Sequence, residues 1–311
     1  MSELHGHQSR DDHHGHGGGH RHGHGHDHGG LEPDWAALAP FLVRKAELYA
    51  DFYRDAAAWI AARRPDTPVR RVLDIGSGPG VVTCLLAEAF PDAEVVAVDG
   101  NRPLLDHALA RAESLGLGGR VRAVEGELPD AIADLGQADL VWAGDALHHV
   151  GDQRAALAAF AGLLRPGGTV ALVEGGLPAR HLPRDIGLGR PGIQSRIDVV
   201  MDGWFNRMRA ELPGTKDEVE DWAALLGAVG LASTASRSFL LDFPAPLAPE
   251  VREQVVAGFT WQVQEVGEEL EPDDREVLRR LLDPEDEAGL ARRPDVFLLA
   301  AKSIHTGRRA G

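Results

Sequence analysis

A single cysteine in 311 residues excludes an internal disulfide and any cysteine-rich metal centre. Cys84 stands in the apolar run VVTCLLAEAF, the setting of a buried core residue, whereas a reactive thiol needs exposure beside positive charge. No apolar run approaches the roughly 20 residues of a membrane-spanning helix, and the N-terminus lacks the apolar region of a signal peptide. These absences predict a non-membrane protein working in the cytoplasm. Positive charge is also scarce: 32 Lys and Arg against 48 Asp and Glu leave a net charge of −16. The basic residues are scattered instead of forming a stripe that could track a phosphate backbone, which disfavours long nucleic acid as a partner but leaves room for a nucleotide-sized ligand in a local pocket. Hydrophobic residues make up 43% of the chain, enough for a sizeable core.

Large apolar side chains are almost missing from residues 1–30, so that stretch has little to offset the entropy of ordering a backbone and is predicted to be a disordered tail. Ten of its thirty residues are His, many spaced H-G-H, a pattern able to gather neutral imidazoles around a divalent metal. A solubilising extension is the plainer reading of the same residues.

Residues 31–68 are predicted to be an N-terminal helical cap, with Asp34 capping a helix that Pro40 interrupts. From Val69 onward, short β-branched or aliphatic runs alternate with amphipathic stretches, the mark of βαβ units. Strands are expected at 70–75, 94–99, 121–125, 139–143 and 169–175, and helices at 80–90, 103–115 and 152–164, the last stopped by the RPGG turn at 165–168. These form a core over 69–180. A lid insertion follows at 181–214, then a core helix and strand within 215–247, with the helix at 215–229 and the strand at 233–243. A charged helical insertion at 248–292 and a final section at 293–311, whose strand covers 295–302, complete the chain.

The segment VLDIGSGPG, residues 72–80, runs a hydrophobic strand straight into glycines and then a helix. Gly76 and Gly78 allow a tight turn and a close approach to a ligand, and the next helix offers N-terminal amides. Dinucleotide-binding enzymes use G-x-G-x-x-G at the same turn. Here Gly80 comes two residues after Gly78, and Asp74 stands two before Gly76. This arrangement resembles the first motif of class I S-adenosylmethionine-dependent methyltransferases, and the resemblance continues through VVAVDGN, VEGELPD, WAGDALHHV and LLRPGG, covering about a third of the chain.

That resemblance implies a Rossmann-like α/β fold: a mostly parallel seven-stranded sheet, its last strand antiparallel, with helices on both faces and a helical substrate cap. It implies S-adenosyl-L-methionine as cofactor, with Asp74 at the methionine end, Gly76, Ser77 and Gly78 in the cofactor loop and Asp99 on both ribose hydroxyls. Glu127 and Leu128 meet the adenine, and Gly100, Asn101, Gly126, Ala143 and Asp145 are further cofactor-binding residues. Two of these have plain structural alternatives, Asp74 as a tie within the loop and Asp145 as a helix cap.

Methyl transfer is a displacement at carbon, so the protein must align the acceptor, exclude water and, for many acceptors, remove a proton. His148 is the candidate base, and packing is the competing reading of the His148–His149 pair. Tyr49, Tyr53, His149, Trp204, Phe205, Asn206 and Trp261 are candidates to face the acceptor, with core packing as the alternative. The expected activity is transfer of a methyl group to an oxygen, nitrogen or carbon atom of a small molecule, secondary metabolites included. No metal is expected in the core. The rival readings are a metal-handling protein working through its His-rich tail and an NAD-dependent oxidoreductase.

Overall fold

The computed structural model describes residues 35–64, 68–126 and 134–311. The His-rich tail, the cap at Asp34 and the adenine candidates Glu127 and Leu128 lie outside the described residues. Seven strands form one sheet, β1 (Arg71–Ile75), β2 (Glu94–Asp99), β3 (Val121–Glu125), β4 (Ala138–Gly144), β5 (Leu164–Arg180), β6 (Ala232–Phe243) and β7 (Leu298–Arg308), in the order β3-β2-β1-β4-β5-β7-β6. The sheet is mixed: its four pairings from β3 to β5 are parallel, and β7 is antiparallel to both neighbours.

Alternation along the inner strands divides the core in two, because successive side chains leave opposite faces. Leu73, Ile75, Val141, Ala143, Val170 and Leu172 pack beneath α5 (Gln153–Gly162) and α7 (Trp222–Ala228). Val72, Leu140, Trp142, Ala171 and Val173 face the opposite layer, which contains α2 (Ala50–Ala62) and α3 (Val81–Ala89). Burial on both faces explains why these strands read as nearly continuous apolar runs. Helix α4 (Arg102–Ser114) starts with Asn101, whose side chain accepts from Leu104 N. Among the described helices none is long and apolar enough to cross a membrane.

Four expected boundaries need correction. Pro40 does not break the first helix: it sits inside α1 (Trp35–Leu48), and the chain turns at Tyr49, where α2 swings inward to bury Phe52, Tyr53, Ala56, Ala57 and Ile60. A Pro near a helix start forfeits one hydrogen bond, whereas burying those five side chains gains several kcal/mol, roughly 1.5–3 for each large one. The RPGG segment is not a free turn. Strand β5 runs through it because Gly167 N donates to Arg309 O and Arg309 N to Gly168 O, then continues past bulged Gly175 and Gly176. The helix expected from residue 215 begins only at Trp222, where the Asp221 side chain accepts from Ala224 N. The preceding stretch is tied down by Arg154–Glu218 and Lys216–Asp152 ion pairs. The final strand starts later and runs further than 295–302, because Asp295 is committed to Arg293 while the antiparallel register carries β7 to Arg308.

Beyond β5, residues 181–192 are irregular and lead into α6 (Ile193–Glu211), followed later by α8 (Pro249–Val266) and α9 (Pro272–Leu282). Gln194 Oε1 accepts from the amides of His181 and Leu182, which anchors the irregular segment to α6. Asp274, 1% exposed, accepts from Arg190 and Arg196 and ties α9 to that same segment.

Candidate active site

The glycine loop closes the C-terminal end of β1. Gly76 N and Ser77 N donate to Val98 O at 2.8 and 3.1 Å, holding the loop against β2. Gly76, Gly78 and Gly80 all have positive φ, which other residues adopt only with strain. Their surroundings differ. A β-carbon on Gly80 would lie 2.3 Å from the Ala108 β-carbon, so this glycine lets α3 and α4 pack closely; one on Gly78 meets nothing within 4 Å. The space above Gly78 is therefore open for a ligand. Asp99 borders it, accepting from Gly78 N at 2.8 Å and Asn101 N at 2.9 Å through different oxygens, with lone pairs to spare for further donors.

Asp74 lies beneath the loop, 2% exposed, with Thr83 Oγ1 donating to it at 2.6 Å. Burial pushes its carboxyl up to about 7, with the Thr83 hydrogen bond opposing the shift. Nearby Ser77 Oγ is buried and has no partner among the described residues. A carboxyl lacking a counter-ion and an orphaned hydroxyl suit a polar, cationic ligand.

Beside this loop is a second polar group, drawn from four parts of the chain. Asp145 follows β4 in a left-handed conformation (φ 51°) and pairs with Lys302 of β7. Burial alone would raise its carboxyl; Lys302 and Lys45 outweigh that and hold it below the usual carboxylate range. Lys302 Nζ also lies 5.2 Å from the centre of the Tyr49 ring and 6.0 Å from that of Tyr53. Burial pushes the Tyr53 phenol well above its ordinary pKa, and Asp145 adds to the shift. Lys45 of α1 is solvent-exposed yet surrounded by protein, as in an open cleft; burial lowers its pKa, Asp145 opposes and Lys302 reinforces.

Next in the chain, residues 147–149 form a short 3-10 turn. Glu174 of β5, 4% exposed, accepts from Leu147 N at 2.8 Å through one oxygen, and its other lies 3.0 Å from His148 Nδ1. Arg209 of α6 donates to the His148 and Val150 carbonyls at 2.9 and 2.6 Å, pinning the turn from above. The His148 ring is 4.2 Å from that of His149 and 5.8 Å from that of Phe205. His149 is exposed on one side; burial of the other lowers its pKa, and His148 adds to the shift.

A family profile described as a methyltransferase domain matches residues 72–168, the stretch that builds the glycine loop, Asp99 and the histidine turn. A trans-aconitate 2-methyltransferase of Methylobacterium radiotolerans is 29% identical over 66% of this chain and 81% of its own length. One from Variovorax paradoxus is 36% identical over 45% of this chain, which spans about half of that relative (49%). Among solved structures, an O-methyltransferase family protein from Burkholderia thailandensis superposes with a TM-score of 0.51 at 17% identity, covering 89% of this chain and 60% of that one, and shows a shared fold. Residues 72–168 carry a methyltransferase domain, and the chain is similar to S-adenosylmethionine-dependent methyltransferases.

The methyltransferase cofactor fits the residues present: open space over Gly78, the Asp99 carboxylate beside it, and buried Asp74 with Ser77 Oγ, which has no partner among the described residues. When bound, S-adenosylmethionine supplies a methyl group on a sulfonium. Ala143 is buried in β4, paired with Ile75 and Leu172, so only its backbone end reaches the site. Gly100 is exposed beside Asp99, Gly126 N donates to Asp99 O, and the Asn101 side chain is used as a helix cap. Asp145 caps no helix; its partner is Lys302. Trp204 packs edge-on against Trp261 at 5.9 Å, joining α6 to α8, and Asn206 is exposed. Among the described residues no cluster of His, Cys, Asp and Glu is placed to hold a metal.

Sequence reasoning missed Glu174, Lys302, Lys45 and Arg209. Glu174 had a usable signal, lying near the C-terminal edge of the parallel strands, where ligands of such sheets gather. Lys45 precedes Tyr49 by four residues, one helical turn. Lys302 had none, because only the antiparallel register of β7 brings it opposite Gly176.

Proposed function

We propose that the methyltransferase acts on a small molecule whose acceptor atom carries a proton, with His148 as the base and Glu174 as the group that orients it. The His148–Glu174 pair is the observation that carries this reading. A buried carboxylate bound to Nδ1 fixes which ring nitrogen holds the proton and leaves Nε2 to accept one from the acceptor. Glu174 is in turn fixed by Leu147 N, so the imidazole is held on two sides by backbone geometry.

The acceptor sits between the N-terminal helices (31–68), the insertion at 181–214 and the helices of 248–292, with Tyr49, Tyr53, His149, Phe205 and Trp204 as its apolar and polar walls. Asp74, Ser77, Gly78 and Asp99 hold the cofactor, with Glu127 and Leu128 assigned to the adenine. Lys45 favours an acceptor bearing negative charge. The relatives' printed acceptor, trans-aconitate, is likewise a small anion; on this reading the negative charge serves recognition, and the methylated atom is a separate, proton-bearing group. The working compartment is the cytoplasm.

The test is S-adenosylhomocysteine formation from S-adenosylmethionine with trans-aconitate and a panel of small hydroxy acids, phenols and amines. With an active acceptor, His148→Ala should lower kcat by about 10²–10⁴ and erase the acidic limb of the pH profile. Glu174→Gln should lower kcat less and shift that limb while leaving cofactor affinity unchanged. Full activity in His148→Ala with an unaltered profile removes His148 from the chemistry, and turnover of carboxylates alone, which need lose no proton, would do the same.

A further inference from the structure

At the opposite end of the strands from the glycine loop lies a cavity of about 240 Å³, lined by Ile60 of α2, Arg63 and Arg64 just after it, Thr169 of β5, Ser233 of β6, and Thr306 and Arg308 of β7. Arg64 is only 5% exposed. Its Nη1 donates to the Asp139 carbonyl and, at 3.0 Å, to Thr169 Oγ1, which fixes the plane of the guanidinium. Nε and Nη2, which together form the outer fork of that plane, are buried and have no partner among the described residues. Two parallel N–H groups on one rigid edge match two oxygens of a carboxylate or phosphate. The Asp139 carboxylate is engaged elsewhere, accepting from the amides of Arg70 and Arg71 and from Arg165.

The rest of the wall has the same character. Arg63 lies over the Trp59 ring at 5.1 Å and reaches the Ser233 carbonyl, and Ser233 is held at φ 52°, a strained left-handed conformation for a non-glycine residue. Burial lowers the Arg64 pKa; Asp139 opposes the shift and Arg308 adds to it, so a bound anion would act with Asp139 to oppose the shift. Among the described residues lining the cavity there is no carboxylate, in a chain whose net charge is −16. The donors come from a helix and three strands and so approach from several directions, which suits a tetrahedral oxyanion better than a planar one.

We propose that this cavity binds a small phosphate-type oxyanion, inorganic phosphate or a phosphomonoester, gripped by the Arg64 fork and enclosed by Arg63 and the hydroxyls of Thr169, Ser233 and Thr306. The site is separate from the methyl-transfer cleft and does not depend on the acceptor proposed above.

Calorimetry and thermal unfolding of the full chain in inorganic phosphate, at ionic strength matched with sodium chloride, test it. Saturable binding and a rise in Tm with phosphate but not chloride are expected, with S-adenosylhomocysteine affinity unaffected by saturating phosphate. Arg63→Ala should weaken phosphate about tenfold and Arg64→Met abolish binding, both retaining S-adenosylhomocysteine affinity. Glycerol 2-phosphate and citrate arms separate the sources: binding of the ester admits phosphomonoesters, and binding of citrate without phosphate overturns the assignment. No signal above chloride, or competition with S-adenosylhomocysteine, also overturns it. Should Arg64→Met fail to fold, Arg63→Ala and Thr306→Val decide, and unchanged phosphate affinity in both refutes the site.

Discussion

Two buried aspartates show how differently the cofactor core and the cap are held together. Asp74, under the glycine loop, has a threonine hydroxyl and no cation, and burial drives its carboxyl up to about 7. Asp274, at the start of α9, has two arginines, and hydrogen bonding to Arg196 holds it below the usual carboxylate range. The two are nearly equally hidden, at 2% and 1% exposure, so partners rather than burial decide which carboxylate is stable as an anion. The cap aspartate is structural and already satisfied. The core aspartate is left with electrostatic capacity unused by the protein, as suits a site that receives a cationic ligand.

The largest test of this contrast concerns how the core is closed. Gly80→Ala places a methyl group 2.6 Å from the Ala108 backbone at φ 78° and should cost more than about 3 kcal/mol in denaturant unfolding. Gly78→Ala, with open space around it, should cost only about 1–2 kcal/mol of backbone strain while weakening S-adenosylhomocysteine at least about tenfold. Equal stability losses would mean that the two glycines do not divide packing from binding.

A smaller effect is expected in the cap, where Asp274→Ala leaves two arginines without their partner. A loss of about 2 kcal/mol is expected, discounted because Arg190 is largely exposed. Since the folded-state pKa of Asp274 is depressed, its contribution is present above the unfolded value near 4 and disappears as pH falls through the folded value. Unfolding at pH 7 and pH 3 should show a smaller mutational loss at the lower pH.

Asp74 has the opposite sign. Its folded-state pKa is raised, so its contribution is complete below the unfolded value near 4 and is lost as pH rises through about 7. Asp74→Asn should therefore flatten the decline in stability between pH 4 and pH 7, a change on the order of 1–3 kcal/mol, with little effect at pH 4. An unchanged pH slope would show that Asp74 already ionises freely in the empty cleft.

Local pattern alone determined the inner half of this protein. Strands β1 to β4 match their expected positions to within a residue, because each is a short run rich in β-branched or aliphatic residues that stops at Gly or Asp, and the loop after β1 announces itself by glycines whose positive φ other residues adopt only with strain. The place of Asp99 beside the glycine loop was legible for the same reason: its amide partners, Gly78 and Asn101, belong to the strand-loop units on either side. The turn at Tyr49, the passage of β5 through Gly167 and the late start of α7 were not legible, since each depends on what a distant segment offers in burial or hydrogen bonds.

The catalytic candidates divide in the same way. His148 could be picked out as a titratable group after β4, but Glu174, 26 residues away, and Arg209, 61 residues away, meet it only because β5 lies beside β4 and α6 folds back over the turn. Lys302 reaches Asp145 across 157 residues through the register of a strand inserted between β5 and β6. Sequence determines which side chains can titrate, turn or pack. Which of them stand within 3 Å of one another is decided by tertiary structure, because hydrogen bonds and ion pairs act over a few ångströms and carry no trace in local periodicity.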